Sequence, residues 1–95
     1  MKNKVAMRAD IEVDEETGKV VAVYFYIRPG RVAETKEYAQ GRALADYDRQ
    51  GNLLGIEVVG RCEVAILDKI SRREPAPVKN FLHNSIPRQM ALAGP

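Results

Sequence analysis

Two acidic pairs in this chain have the residue types for general acid–base chemistry. Asp46 and Asp48 flank Tyr47, and Glu34 and Glu57 stand on either side of them in sequence. Residues two apart on an extended strand share a face at roughly 6.5–7 Å, a separation at which paired carboxylates can hydrolyse glycosides. A chain of 95 residues leaves little room for a substrate cleft, so turn and surface roles are the simpler reading. Asp14-Glu15-Glu16 and Asp46-Tyr47-Asp48 hold oxygens for a weak calcium or magnesium contact, but neither follows the EF-hand loop pattern. His83 is the only histidine and Cys62 the only cysteine. A Cys–His or Ser–His–Asp arrangement would have to use them, and together they cannot build a structural zinc site. No Gly-rich phosphate loop is present. The residues therefore predict no catalytic group, no metal and no cofactor.

Binding is the better-supported class. Tyr24, Phe25 and Tyr26 are consecutive aromatics. Such a run can stack nucleic-acid bases, but no basic residues interleave with these rings, so packing or protein contact is expected. The candidate binding residues are Tyr24, Tyr26, Asp46 and Asp48.

These residues need elements to position them. Residues 5–13 alternate, with Met7, Ala9, Ile11 and Val13 on one face and Arg8, Asp10, Glu12 and Asp14 on the other. That pattern predicts a half-buried strand. Asp14 to Lys19 reads as a hairpin turn with Gly18 left-handed. Val20 to Ile27 is apolar on both faces, which predicts a central strand covered twice. After Pro29-Gly30, Val32 to Ala39 reads as a charged edge strand. Gln40-Gly41 turns the chain into a strand over 42–47. Asp48 to Asn52 supplies turn chemistry, with positive φ expected at Gly51. Leu54, Ile56 and Val58 then alternate with Gly55 and Glu57, placing the three apolar residues on one core face. Both hairpins run aspartate, polar residues, glycine, polar residue, apolar strand.

Beyond Gly60 the pattern becomes helical. Val64, Leu67 and Ile70 recur three apart in a helix expected over 63–73. Glu74-Pro75-Ala76-Pro77 stops it. Val78, Phe81 and Leu82 give a shorter helical face, Ser85 is positioned to cap a last turn through Met90, and residues 91–95 are expected to fray.

Composition narrows the class further. The chain reads as one domain, 1–95, with a β-meander over 5–59 and helical segments over 63–90. The first 60 residues hold nine Lys/Arg against ten Asp/Glu, whereas residues 61–95 hold six against three. The basic tail is a weak nucleic-acid footprint and reads more simply as solvated helix ends. No apolar run is long enough to span a membrane, and the N-terminus lacks the apolar region of a secretory signal. With a single cysteine, this points to the cytoplasm.

The segments Val32-Ala33-Glu34-Thr35, Ala45-Asp46-Tyr47-Asp48 and Gly51-Asn52-Leu53-Leu54-Gly55-Ile56-Glu57-Val58 resemble the YuzE-like family, domain of unknown function 2283. Tyr24 to Ile27 matches the family's aromatic strand more loosely. The resemblance covers about residues 12–60. It implies a small β-meander, no established activity, and an antitoxin-like binding role for some members.

The expected fold is α+β: an antiparallel β-meander of about five strands with C-terminal helical segments on one face. The helices can cover only one side of a strand with two apolar faces, so the side bearing Val20, Ala22, Tyr24 and Tyr26 is left for a partner or a second copy. The expected function is a non-catalytic protein-binding module that self-associates as a homodimer or takes a small protein partner. The alternatives are a small enzyme or ligand-binder using Asp46-Tyr47-Asp48, and nucleic-acid binding through residues 61–88.

Overall fold

The computed structural model describes residues 4–92. Five antiparallel strands form one sheet: β1 (Arg8–Val13), β2 (Val20–Tyr26), β3 (Glu34–Tyr38), β4 (Ala43–Tyr47) and β5 (Leu53–Val59). Two helices follow, α1 (Val64–Ile70) and α2 (Ala76–Ser85). A second, two-stranded sheet pairs β6 (Cys62–Glu63) with β7 (Ala91–Leu92) in parallel. The fold is α+β, with the helices C-terminal to the meander-like sheet.

The spatial order is β1-β2-β5-β4-β3. The meander is thus interrupted once: after β2 the chain passes to the far edge and returns through β4 to β5. The central strand is β5, not the Val20–Ile27 strand, which lies between β1 and β5. Strand β2 is apolar on both faces, but helices cover only one. Val23 and Phe25 are fully buried on the covered face, while Tyr26 on the other is 36% exposed. The edge strand β3 is shorter than the expected 32–39 and is solvent-exposed through most of its length, as its charges require.

The core is built where the sheet's covered face meets the helices. Val23, Phe25, Ala43, Ala45, Ile56 and Val58 pack against Leu67, Ile70, Val78, Leu82 and Met90. Phe25 and Phe81 meet edge to face with ring centroids 5.8 Å apart, a favoured aromatic geometry. The outer strand contributes unevenly. Met7 and Ala9 pack against the core, but Ile11 and Val13 are 51% and 53% exposed at the sheet edge, where the register shifts between Glu12 and Val13.

Leu54 does not share the core cluster with Ile56 and Val58. The β4–β5 register shifts between Asp46 and Tyr47, so that Asp46 pairs with Gly55 but Tyr47 pairs with Leu53. The extra residue gives Leu53 the core position. Leu54 is buried instead beneath the β2–β3 connection, where its Cδ2 would lie 2.7 Å from a Cβ placed on Gly30.

The turns follow their chemistry. Asp14 accepts the Glu16 and Thr17 N–H groups, and Asp48 accepts those of Gln50 and Asn52. The Thr17 and Glu16 N–H groups hold the Asp14 carboxyl below the usual carboxylate range, and the Asn52 side-chain amide, followed by the Asn52 N–H, does the same for Asp48. Gly18 and Gly51 have φ of 72° and 86°, the left-handed conformation that closes each hairpin.

The helical region differs in its ends. Helix α1 stops at Ile70, where the Ser71 N–H and hydroxyl both donate to the Leu67 carbonyl at 3.0 and 2.7 Å. Residues 71–73 form a turn rather than the last helical residues. The Pro75–Pro77 segment then starts α2, in whose first turn Pro77 needs no N–H partner. Ser85 does not cap a final helix: it is the last residue of α2, and Ile86 is extended. The turn that follows carries the buried Met90 back beneath the sheet, and the Cys62 N–H donates to its carbonyl at 2.8 Å. Ala91 and Leu92 are therefore paired rather than frayed, and residues 93–95 lie outside the described residues.

Ile56 sits fully buried in the middle of the central strand. Ile56→Ala should cost about 2–5 kcal/mol, a large part of the stability of a small domain. Urea denaturation checks this, and a loss below about 0.5 kcal/mol, ordinary for a surface substitution, would contradict the packing.

Candidate functional site

The uncovered face of the sheet brings three of the four candidate binding residues together. Paired strand residues project to the same side, so the register defines its rows. One row runs Arg8, Tyr26, Gly55, Asp46, Thr35, and the next runs Asp10, Tyr24, Glu57, Leu44, Glu37. A third begins Glu12, Ala22, Val59.

Across these rows the side chains form a continuous chain of contacts. The Arg8 guanidinium lies 4.0 Å from the centroid of the Tyr26 ring. The Tyr26 and Tyr24 centroids are 4.5 Å apart, with the rings tilted by 56°. The Tyr24 hydroxyl donates to Asp46 Oδ2 at 2.6 Å, and the Thr35 hydroxyl donates to Asp46 Oδ1 at 2.6 Å. Both carboxylate oxygens of Asp46 are engaged by charge-assisted bonds, the shorter and stronger kind.

Gly55 makes this possible. A Cβ there would stand 2.3 Å from the Tyr24 hydroxyl oxygen and 2.6 Å from two ring carbons. Tyr24 lies across β5 through the space that Gly55 leaves empty. Partial burial, followed by the bond to the Asp46 carboxylate, pushes the Tyr24 phenol well above its ordinary value of 10.0.

Asp48 does not join the chain of contacts. Its Oδ1 caps its own turn, and its Oδ2 accepts the Asn52 side-chain amide at 3.0 Å. Asp46 and Asp48 are thus not a carboxylate pair, because the register shift and the turn separate their roles. Glu34 and Glu57 belong to opposite faces: Glu57 shares a row with Leu44 and Glu37, while Glu34 alternates with Thr35, which faces Asp46. Tyr47 faces the helices, with its hydroxyl 3.5 Å from that of Tyr38. The cavity of about 340 Å³ beside it is lined by neither Asp46 nor Asp48.

The remaining chemistry-bearing residues are apart. Cys62 is buried in β6, and burial raises its thiol above its ordinary value, which disfavours the reactive thiolate. His83 is exposed on α2 and bonds to Asp68 of α1 through Nε2. Among the described residues, no group of three or more His, Cys, Asp or Glu side chains could hold a metal ion.

Sequence reading missed Gly55, whose need comes from a tyrosine 31 positions earlier. It also missed Arg28, which donates to the Leu53 carbonyl at 2.6 Å and to Glu74 Oε1 at 2.7 Å. This pair is largely buried, with side chains 11% and 14% exposed, and ties the β2–β3 connection to the helix linker.

Two predictions come from the Tyr24–Gly55–Asp46 geometry. Gly55→Ala should cost about 1–3 kcal/mol by displacing the ring, and should become neutral or stabilising when Tyr24→Ala is also present. A double-mutant cycle measures that coupling, and additive costs would refute it. The second concerns alkaline pH. The folded state holds the phenol proton to higher pH than the unfolded chain does. Stability from this group is therefore complete below pH 10.0 and is lost as pH rises beyond it. Tyr47, also raised, adds to the same decline. Denaturation measured across that range should show a shallower fall for Tyr24→Phe than for the wild type; equal slopes would count against the linkage.

Comparison with protein-family models, curated proteins and solved structures finds no match to this chain.

Proposed function

We propose that the chain is a non-catalytic protein-binding module that docks a basic protein surface on its uncovered sheet face. The observation that carries this reading is the composition of that face. Its paired rows hold one cation, Arg8, against five carboxylates, Asp10, Glu12, Glu37, Asp46 and Glu57. At their centre lie two tyrosines, one of them 36% exposed. Tyrosines and arginines are favoured anchors of protein interfaces, and the Arg8–Tyr26 contact displays within the chain the cation–π geometry that a partner's arginine would make.

The charge also bears on self-association. Two such faces brought together would oppose carboxylates to carboxylates, which costs several kcal/mol in an interface. A heterologous basic partner is therefore favoured over the face-to-face homodimer. The antitoxin-like role implied by the YuzE-like resemblance is one form of this reading. Among the described residues no helix is long and apolar enough to cross a membrane. The lone buried thiol of Cys62 supports a reducing compartment, the cytoplasm.

Sedimentation at micromolar concentration should show a monomer for the chain alone. Affinity capture from native lysate should recover one stoichiometric partner that is released by salt. That partner should be lost from an Asp10→Lys, Glu57→Lys double variant that keeps the wild-type circular dichroism spectrum. A dimer that buries Tyr26, or a partner retained by the charge-reversed face, would overturn the proposal.

A further inference from the structure

A second site lies on the opposite side of the sheet and is independent of the docking face. The cavity of about 340 Å³ opens where β3 meets the end of α1. Its walls bring together cations from separate elements: Lys36 from the sheet edge, Lys69 from the last turn of α1, and Arg72 and Arg73 from the turn that follows. The Lys36 ammonium lies 5.1 Å from the Tyr47 ring centroid, and that of Lys69 lies 6.0 Å from the Tyr38 centroid. The two tyrosine hydroxyls come within 3.5 Å of each other at the same wall.

Two carboxylates stand near this wall, Glu34 beside Tyr47 and outside the lining, and Glu74 within it. Glu74 is the sole acidic lining residue, and it is bound by Arg28 at 2.7 Å. None of the four cations takes part in a salt bridge among the described residues. Cations at the C-terminal end of a helix ordinarily answer its dipole, and this accounts for Lys69, Arg72 and Arg73. It does not account for Lys36, which reaches the cavity from another element, or for the paired hydroxyls. Four like charges around one hollow repel one another unless an anion enters.

We propose that this cavity binds a phosphate monoester of a small organic molecule. The phosphate sits among Lys36, Lys69, Arg72 and Arg73, and a tyrosine hydroxyl donates to one of its oxygens. A dianion fits four unpaired cations better than a single carboxylate does, and arginine forks match phosphate geometry. The volume is of the size that holds small organic ligands, so it leaves space for more than inorganic phosphate. Burial, followed by the Tyr38 hydroxyl, raises the Tyr47 phenol, which keeps it a donor toward an anion across the neutral range. The cations surround a hollow rather than form a stripe, which suits one phosphate group and not the spaced phosphates of a nucleic-acid strand.

Titration calorimetry of the whole chain with phenyl phosphate tests the site, with inorganic phosphate, phenol and a single-stranded oligonucleotide as the other arms. Saturable binding of phenyl phosphate is expected, with competition by inorganic phosphate and none by phenol. Lys36→Gln combined with Arg73→Gln should weaken binding by at least about tenfold, the loss of charge-assisted bonds. Tyr47→Phe should weaken it by about threefold or more, the loss of one hydrogen bond. Each variant is first shown to retain the wild-type circular dichroism spectrum. Absence of saturable binding, affinity untouched by both sets of substitutions, inorganic phosphate binding as tightly as the monoester, or displacement by the oligonucleotide with affinity rising with its length would each overturn the proposal.

Discussion

Strand β5 is hydrogen-bonded along both edges, to β2 on one side and β4 on the other. Each face of the molecule depends on that placement. On one face, Ile56 and Val58 form the middle of the core on which both helices pack. On the other, the missing side chain at Gly55 lets a tyrosine from one neighbouring strand reach an aspartate on the other. A glycine in a strand interior weakens the strand by itself. Here the cost is offset because the gap joins three strands through one charge-assisted bond.

The two faces divide the protein's charge. The uncovered side is acidic around its tyrosines, while the helix side collects lysines and arginines around the β3–α1 hollow. A net charge of +2 over the whole chain hides this separation. Field and partner choice follow the local arrangement. Opposite potentials on opposite faces would keep the proposed docking face and the proposed anion site from competing.

Much of the fold was legible because it obeys local periodicity. The strands at Arg8–Val13 and Ile56–Val58, the turns at Gly18 and Gly51, and the three-residue spacing of Val64, Leu67 and Ile70 each need only a short window of sequence, although the half-burial expected along Arg8–Val13 stops at Ala9. What failed to read across depends on contacts distant in the chain. The shift that gives Leu53 rather than Leu54 to the core is set by pairing with β4. The return of the chain through Met90 overrode the helical pattern expected after Ser85. Of the candidate site, Tyr24, Tyr26 and Asp46 were legible as residue types suited to binding. Their union depends on Gly55, which looks in sequence like one more small residue on the outer face. Asp48 is spent within its own turn, a role that its local sequence carries equally well.

The short parallel ladder between Cys62–Glu63 and Ala91–Leu92 changes what the helices are. They are not an appendage hung from the end of the sheet, but a loop whose two ends are stitched together, with Met90 buried beside the stitch. Elements joined to a sheet by one short connection can exchange between copies of a protein. To exchange here, α1 and α2 would have to leave as one stitched unit, withdrawing Met90 and Phe81 from the core and breaking the Arg28–Glu74 pair. The stitch therefore makes α1 and α2 move together, so that the hollow between β3 and α1 opens or closes with the whole helical unit.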